Sequence, residues 1–177
     1  EAYYLFALND MQEKVALRVL PLDEKCRALN EAYMMPIGYV KNNMFLVDWS
    51  EDDFSTLDFY DLFDIFYQQI YGKEVPYEPS DNLGVGTVYQ IPKEEFEHIM
   101  MAYLNIDSET LQQKTLYHTD TKTYEYRPRG FYEAEYPEHP YPEVVDYTEN
   151  ADGTITLLVN VVFPYEGLSK VFSHEVV

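Results

Sequence analysis

The sequence predicts an α+β protein, with N-terminal helices and a C-terminal antiparallel sheet that carries a packed helix. Residues 56–71 repeat apolar side chains at helical spacing, whereas from residue 115 onward apolar and polar residues alternate as in half-buried strands. The 177 residues are 46% hydrophobic, enough for one domain with a sizeable core. We therefore expect a single domain over 1–177. A subdivision would separate a mainly helical part, 1–90, from a helix with an antiparallel meander, 91–177.

The first fifty residues give mixed signals. Residues 1–20 fit both a strand and a helix, so the two alternatives stay open. Residues 22–35 are weakly helical, and the apolar run MFLVDW at 44–49 is typical of a buried strand.

The clearest helix covers residues 56–71, TLDFYDLFDIFYQQIY. Ser55 followed by Asp58 resembles a capping box, and Gly72 is placed to end the helix. Apolar residues nearly encircle it and leave one narrow polar stripe. We expect such a helix to be central to the core, or covered by another subunit.

Two more helices follow a connection at 73–90 that is rich in Pro and Gly. One begins at Pro92, a residue favoured at the first helical position, and runs to about Leu104. The other is short and is capped by Asp107, with Ile106 and Leu111 spaced as a hydrophobic staple.

The rest of the chain has the period of strands. The dipeptide Asp152-Gly153 is a strong hairpin signal between two of them. The predicted strands are TLYH (115–118), TKTYEYR (121–127), EVVDYTE (143–149), TITLLVNVVF (154–163) and KVFSHEVV (170–177).

Composition excludes several classes of function. The formal net charge is −20, and each half of the chain carries 6 basic and 16 acidic residues. Such a charge repels nucleic acid and anionic lipid, whose binding needs clustered Lys and Arg. No apolar stretch reaches the roughly 18 residues that a membrane helix requires. Cys26 is the only cysteine, so an internal disulfide is excluded.

Metal and cofactor sites have little support. Asp58, Asp61 and Asp64 share a helix face and are weak candidates for calcium, but a solvated stripe at a helix N-terminus explains them better. The four histidines lack the spacing of a zinc site. We expect no metal and no cofactor.

A stretch rich in Tyr, Pro and Glu, residues 124–145, is the candidate ligand surface. Aromatic rings on a stiff segment suit sugar rings or extended peptides, and two arginines suit a carboxylate. This interpretation has Tyr124 and Tyr126 facing outward from their strand. The candidate binding residues are Tyr124, Tyr126, Arg127, Arg129, Tyr132, Tyr136 and Tyr141.

The alternative interpretation of this stretch is structural. A strap of polyproline type would cross the sheet with its rings packed inward, and the arginines would pair with Glu125, Glu133 or Glu135. The sequence alone favours this alternative.

Three runs occur in order along the C-terminal half of the chain: PKEEFEHIMMAYLNIDSE (92–109), TKTYEYRPRGF (121–131) and YPEVVDYTENADGTITLLVNVVF (141–163). In these runs the chain resembles a family of uncharacterised lipoproteins exported by Gram-positive bacteria of the gut Clostridia type. It implies export and lipid anchoring through a cysteine that would lie upstream of Glu1. It implies no activity, so no residue receives a role from it.

The function expected is that of an exported or cell-surface domain that binds a glycan or a protein without catalysis. One alternative is a glycan hydrolase that uses two carboxylates, with Glu133, Glu135 and Glu138 among aromatic residues as a weak pointer. Another is an acidic decoy that binds basic proteins. We expect no nucleic-acid partner, and membrane attachment only through the upstream anchor.

Overall fold

The computed structural model describes residues 4–8, 14–18, 22–40, 42–76, 88–127, 139–163 and 169–177. The chain forms two compact units. The first comprises residues 1–40 and 136–177, and the second comprises residues 41–135. These boundaries differ from a subdivision near residue 90, and the single domain stays a prediction. The mixture of helices and antiparallel strands confirms the α+β class.

The first unit is built on a five-stranded antiparallel sheet with the order β1-β2-β8-β7-β6. Two of its strands come from residues 1–20, where the sequence left helix and strand open. The strands are β1 (Tyr4–Leu8), β2 (Lys14–Arg18), β6 (Tyr141–Glu149), β7 (Ile155–Phe163) and β8 (Ser169–Val176). The turn between β6 and β7 has Gly153 at a φ of 88°, as the Asp-Gly signal predicts.

A short helix covers part of this sheet. Helix α1 (Glu24–Leu29) continues into a π-helical segment (Asn30–Met34), and both pack against β6. Asn30 Oδ1 accepts a hydrogen bond from the Val144 N–H, 3.2 Å away, which satisfies a donor on the outermost strand. The weak helical pattern at 22–35 is thus confirmed.

The second unit packs helices on a three-stranded antiparallel sheet with the order β3-β5-β4. Helices α2 and α3 contact each other, and α3 contacts β3 and β5. The elements are α2 (Phe59–Tyr71), β3 (Tyr89–Pro92), α3 (Lys93–Met101), α4 (Ser108–Lys114), β4 (Tyr117–His118) and β5 (Thr123–Tyr126). Strand β3 begins at the end of the predicted connection, 73–90, and includes Pro92, which the sequence predicts as the first residue of α3.

Two helix signals are confirmed and one is corrected. Asp107 accepts a hydrogen bond from the Thr110 N–H at 2.7 Å, and Gly72 ends α2 in the left-handed conformation at a φ of 65°. The N-cap of α2 is Asp58, not Ser55, so the helix begins three residues later than predicted. Asp58 Oδ1 accepts from two backbone N–H groups of the first turn, which a carboxylate does well at a helix N-terminus.

The buried strand predicted at 44–49 is wrong, because side chains fold this segment into a turn. Asn42 Oδ1 accepts from the Met44 N–H at 2.9 Å, and the Leu46 N–H donates to the Asn43 carbonyl at 2.9 Å. The Trp49 indole N–H donates to the Met44 carbonyl at 2.8 Å. Asn side chains compete with strand pairing in this way.

The strands predicted in the C-terminal half are confirmed, although the prediction placed them all in one sheet. Strands β4 and β5 form a hairpin in the second unit, whereas β6, β7 and β8 belong to the first. Among the described residues, no helix has the length and the apolar character needed to span a membrane.

Candidate functional site

The two tyrosines of strand β5 lie inside the second unit. Tyr124 and Tyr126 are both 0% exposed, while Thr123 and Glu125 alternate with them toward solvent. The Tyr124 ring stacks on Phe96 at 4.4 Å, and the Tyr126 ring packs on Phe63 at 5.4 Å. The prediction that these two rings face outward is therefore wrong. Helices α2 and α3 cover this side of the sheet, and aromatic rings gain most from that burial.

Each buried tyrosine hydroxyl is satisfied by a carboxylate. The Tyr124 hydroxyl donates to Glu97 Oε1 at 2.6 Å, and the Tyr126 hydroxyl donates to Asp64 Oδ1. Burial, reinforced by the neighbouring carboxylates, raises the pKa of both phenols. These two tyrosines and their carboxylates hold the sheet to the helices and are unavailable to a ligand in this structure.

The other predicted binding residues are dispersed. Arg127 is exposed, and its guanidinium lies 3.6 Å from Glu125 Oε2, one of the pairings that the structural alternative predicts. Tyr141 is half-buried on β6 and belongs to the first unit. Arg129, Tyr132 and Tyr136 lie outside the described residues, as do Glu133, Glu135 and Glu138.

The three aspartates of α2 serve separate structural purposes. Asp58 caps the helix, Asp61 is buried at 8% exposure, and Asp64 accepts from Tyr126. Within the described ranges no group of three or more His, Cys, Asp or Glu side chains is placed to hold a metal ion. Their role as calcium ligands gains no support from this geometry.

The solvent side of the three-stranded sheet carries a connected polar surface, which we call the outer face. His118 Nε2 lies 2.8 Å from Glu125 Oε1, and the Arg127 guanidinium lies 3.6 Å from Glu125 Oε2. The hydrogen bond from His118 and the charges of His118 and Arg127 outweigh partial desolvation and lower the pKa of Glu125. The outer face comprises Gln90, His118, Thr123, Glu125 and Arg127.

An open pocket lies at one end of the outer face, beside the turn between β4 and β5. Its volume is about 430 Å³, at the small end of ordinary ligand sites. This turn pocket is lined by Gln90, Tyr117, His118, Thr119, Asp120 and Thr121. Lys122, in the same turn, has a φ of 54°, a left-handed conformation that is uncommon for Lys.

A second pocket of about 600 Å³ lies beside the N-terminus of α2, and several of its polar groups hydrogen-bond to one another. Asn43 Oδ1 accepts from the Asp58 N–H at 2.9 Å, and Asn43 Nδ2 donates to the Thr56 carbonyl at 2.8 Å. Asp58 caps the helix, as described above. These contacts stabilise the start of α2, so we regard this helix pocket as structural.

The first unit holds a smaller polar contact within an aromatic cluster. The Tyr39 hydroxyl and His174 Nε2 are 2.7 Å apart, and the Phe172 ring lies edge-on to Tyr39 at 6.2 Å. Burial lowers the pKa of His174 and raises that of Tyr39. These contacts indicate a structural role for His174.

Sequence reasoning missed most of the outer face, although its signal is present. The segment TYEYR (123–127) alternates, so if its tyrosines face inward, Thr123, Glu125 and Arg127 must face outward. Gln90 and His118 are brought beside them by strand pairing, which no local pattern shows.

The architecture and the outer face define an α+β protein with a solvent-exposed polar sheet surface. The chain belongs to DUF6070, a family of unknown function, which matches residues 1–177. No curated protein and no solved structure matches the sequence.

Proposed function

We propose that this protein is a non-catalytic binding module of the cell surface, and that its outer face holds a glycan or protein ligand. The observation that carries the proposal is the outer face itself. It presents hydrogen-bonding side chains in fixed geometry on a sheet, and it leads into the turn pocket. Sites on regular elements keep their geometry better than sites on loops, which lowers the entropic cost of binding.

The lowered pKa of Glu125 favours binding over glycan hydrolysis at the outer face. A general acid needs a raised pKa near the working pH. The pKa is instead lowered for Asp23, Asp53, Glu97, Asp107, Glu125 and Asp152. These six groups are therefore ionised near neutral pH, where they accept hydrogen bonds and do not protonate a leaving group.

The surface location is part of the proposal and rests on the resemblance to exported lipoproteins. The ligand would then be a cell-wall or dietary glycan, or a protein exposed at the surface. Attachment would occur through a lipid anchor outside this chain. Protease treatment of intact cells tests the location, because a surface protein is digested while a cytoplasmic control protein survives.

Thermal unfolding with a ligand panel tests the binding function. The probes are soluble xylan, cellulose, chitin and peptidoglycan fragments, and cationic and neutral peptides. A probe at 100 times its dissociation constant adds about 2.7 kcal/mol, which raises the melting temperature by roughly 5–10 °C. Arg127→Ala should remove the shift, and Arg27→Ala, an exposed arginine on α1, should keep it.

Three outcomes would contradict this proposal. A panel without any shift would remove the binding function. A shift that Arg127→Ala and a Glu125→Gln variant both retain would place the ligand away from the outer face. Release of reducing sugar from any glycan probe would make the protein a hydrolase.

A further inference from the structure

We propose that the turn pocket is a subsite for one neutral sugar ring, recognised through the hydroxyl groups that the ring donates. This inference rests on the proposed function and names its ligand class. It follows from the direction of the hydrogen bonds around the pocket, which can be assigned atom by atom.

The first assignment concerns two threonines beside Gln90. Thr123 Oγ1 donates to Gln90 Oε1 at 2.5 Å, and Thr121 Oγ1 lies 2.7 Å from Thr123 Oγ1. A hydroxyl has a single hydrogen, and that of Thr123 is already given to Gln90. Thr121 must therefore donate to Thr123, which leaves the Thr121 oxygen as an acceptor at the pocket.

The second assignment concerns the histidine. Glu125 is ionised and can only accept, so the hydrogen of their 2.8 Å contact resides on His118 Nε2. His118 is held in orientation at the pocket lining by this contact with Glu125.

The pocket is consequently rich in acceptors. The Asp120 carboxylate is a second acceptor, and the Gln90 Nε2 group is a donor, since its oxygen is occupied by Thr123. An anionic ligand brings only acceptors, and the net charge of −20 repels it as well. A ligand that donates several hydrogen bonds without negative charge fits this set of groups.

A sugar ring meets these requirements better than a peptide. Its neighbouring hydroxyls each donate and accept, so they can satisfy Thr121, Asp120 and Gln90 together. Tyr117 also belongs to the pocket lining, and its half-buried ring packs on the Tyr124 ring at 4.8 Å, on the side of the sheet that faces the helices.

Calorimetric titration tests this inference with four kinds of probe. They are neutral oligosaccharides (xylo-, cello- and chito-oligosaccharides), an acidic oligogalacturonide, a lysine-rich peptide and a neutral peptide. We expect a neutral oligosaccharide to bind. Thr121→Val and Asp120→Asn should each weaken its binding at least fivefold. Thr110→Val on α4 and Asp48→Asn in the same unit are the matched controls, and should leave binding unchanged.

Folding is checked independently, because Thr121 and Asp120 lie in a turn. Each variant should keep the melting temperature of the parent within about 2 °C, so that loss of binding reports the pocket. Changes in the amide NMR chemical shifts of residues 117–121 on addition of the sugar give a second measurement that needs no substitution.

The outcomes separate this inference from the proposed function. Peptide binding that Arg127→Ala removes, without sugar binding, would overturn the sugar subsite and keep the binding function. Tighter binding of the acidic oligogalacturonide than of neutral sugars would overturn the assignment of acceptors. Sugar binding that neither Thr121→Val nor Asp120→Asn weakens would show that the sugar does not bind in the turn pocket. Failure of every probe would overturn both proposals.

Discussion

Glu97 is the residue on which the polar contacts of the second unit converge. Its Oε1 accepts from Ser108 Oγ and from the Tyr124 hydroxyl, each at 2.6 Å, and from Gln112 Nε2 at 3.4 Å. The Lys93 ammonium lies 3.7 Å away. One carboxylate on α3 thereby links α3 to α4 and to strand β5.

Replacing Glu97 by Ala should therefore destabilise the protein by roughly 2 kcal/mol, because it leaves the buried Tyr124 hydroxyl without its acceptor. Urea unfolding measures the loss. Glu94→Ala, an exposed position of the same helix, is the control and should change stability by less than about 0.5 kcal/mol. The double variant with Tyr124→Phe should lose less than the sum of the single variants. Additive losses would show that the two side chains do not interact.

The same residue predicts a dependence of stability on pH. Partial burial raises the pKa of Glu97, but the hydrogen bonds from Ser108, Tyr124 and Gln112 outweigh it, so the pKa lies below its ordinary value of 4.5. A carboxyl group with a lowered pKa in the folded state stabilises the protein above its unfolded pKa. That stabilisation is lost as the pH falls through the folded pKa.

The parent protein and the Glu97→Gln variant should therefore differ most in free energy of unfolding near pH 7. This difference should decrease toward pH 3. Denaturant titrations at a series of pH values measure it. Glu94→Gln controls for the removal of one negative charge from the same helix. A gap that stays constant between pH 7 and pH 3 would contradict the prediction.

Cys26 should be chemically inert in the folded protein. It is 1% exposed, and burial together with the neighbouring Asp23 raises the pKa of its thiol to about 12. Iodoacetamide at pH 8 should label it only after unfolding, as mass spectrometry will show. Rapid labelling of the native protein would contradict this prediction, because it would show that the Cys26 thiol is accessible and reactive.

At the scale of single elements, helix α2 shows which of two candidate residues caps its N-terminus. The sequence offers Ser55 and Asp58, and only Asp58 bonds to the N–H groups of the first turn. Ser55 lies in a turn that precedes the helix, where its own N–H donates to Asp53 Oδ1 at 2.9 Å.

Asp58→Ala should consequently destabilise the protein by about 1 kcal/mol, the usual effect of losing an N-cap. Ser55→Ala is the matched comparison and should have no measurable effect. Denaturant midpoints of the two variants distinguish them. A loss at Ser55 that equals the loss at Asp58 would restore the capping box that the sequence favours.

At the scale of the whole molecule, the two units differ in how they are made from the chain. The first unit combines residues from both ends, whereas the second is one continuous segment with its own core. The largest side chains of that core are aromatic, including Phe63, Phe66 and Phe96, each 0% exposed.

Residues 41–135 should therefore fold when produced alone. Circular dichroism should show helix, and urea unfolding should be cooperative. Phe96→Ala in the same fragment should reduce its stability by roughly 3–5 kcal/mol, because the substitution leaves a large cavity. A fragment that lacks cooperative unfolding would show that this core depends on the rest of the chain.

Much of the fold is predictable because its signals lie within a few residues. The hairpin at Asp152-Gly153, the cap at Asp107 and the stop at Gly72 each depend on the conformation of one or two positions. The turn at 44–49 was missed because Asn42 and Asn43 lie just outside the apolar run, and their side-chain bonds outweigh its strand propensity.

The sequence by itself determines the α+β class, most helix and strand positions and a charge that repels nucleic acid. It also shows that the two faces of 123–127 differ, because a strand alternates its side chains. Which face is buried depends on the folded chain. Tyr124 and Tyr126 point inward because α2 and α3 bury their rings, and Glu97 and Asp64, 27 and 62 residues away, satisfy their hydroxyls. Contacts at that distance along the chain are absent from any local pattern, so the outer face becomes visible only once the helices and strands have packed.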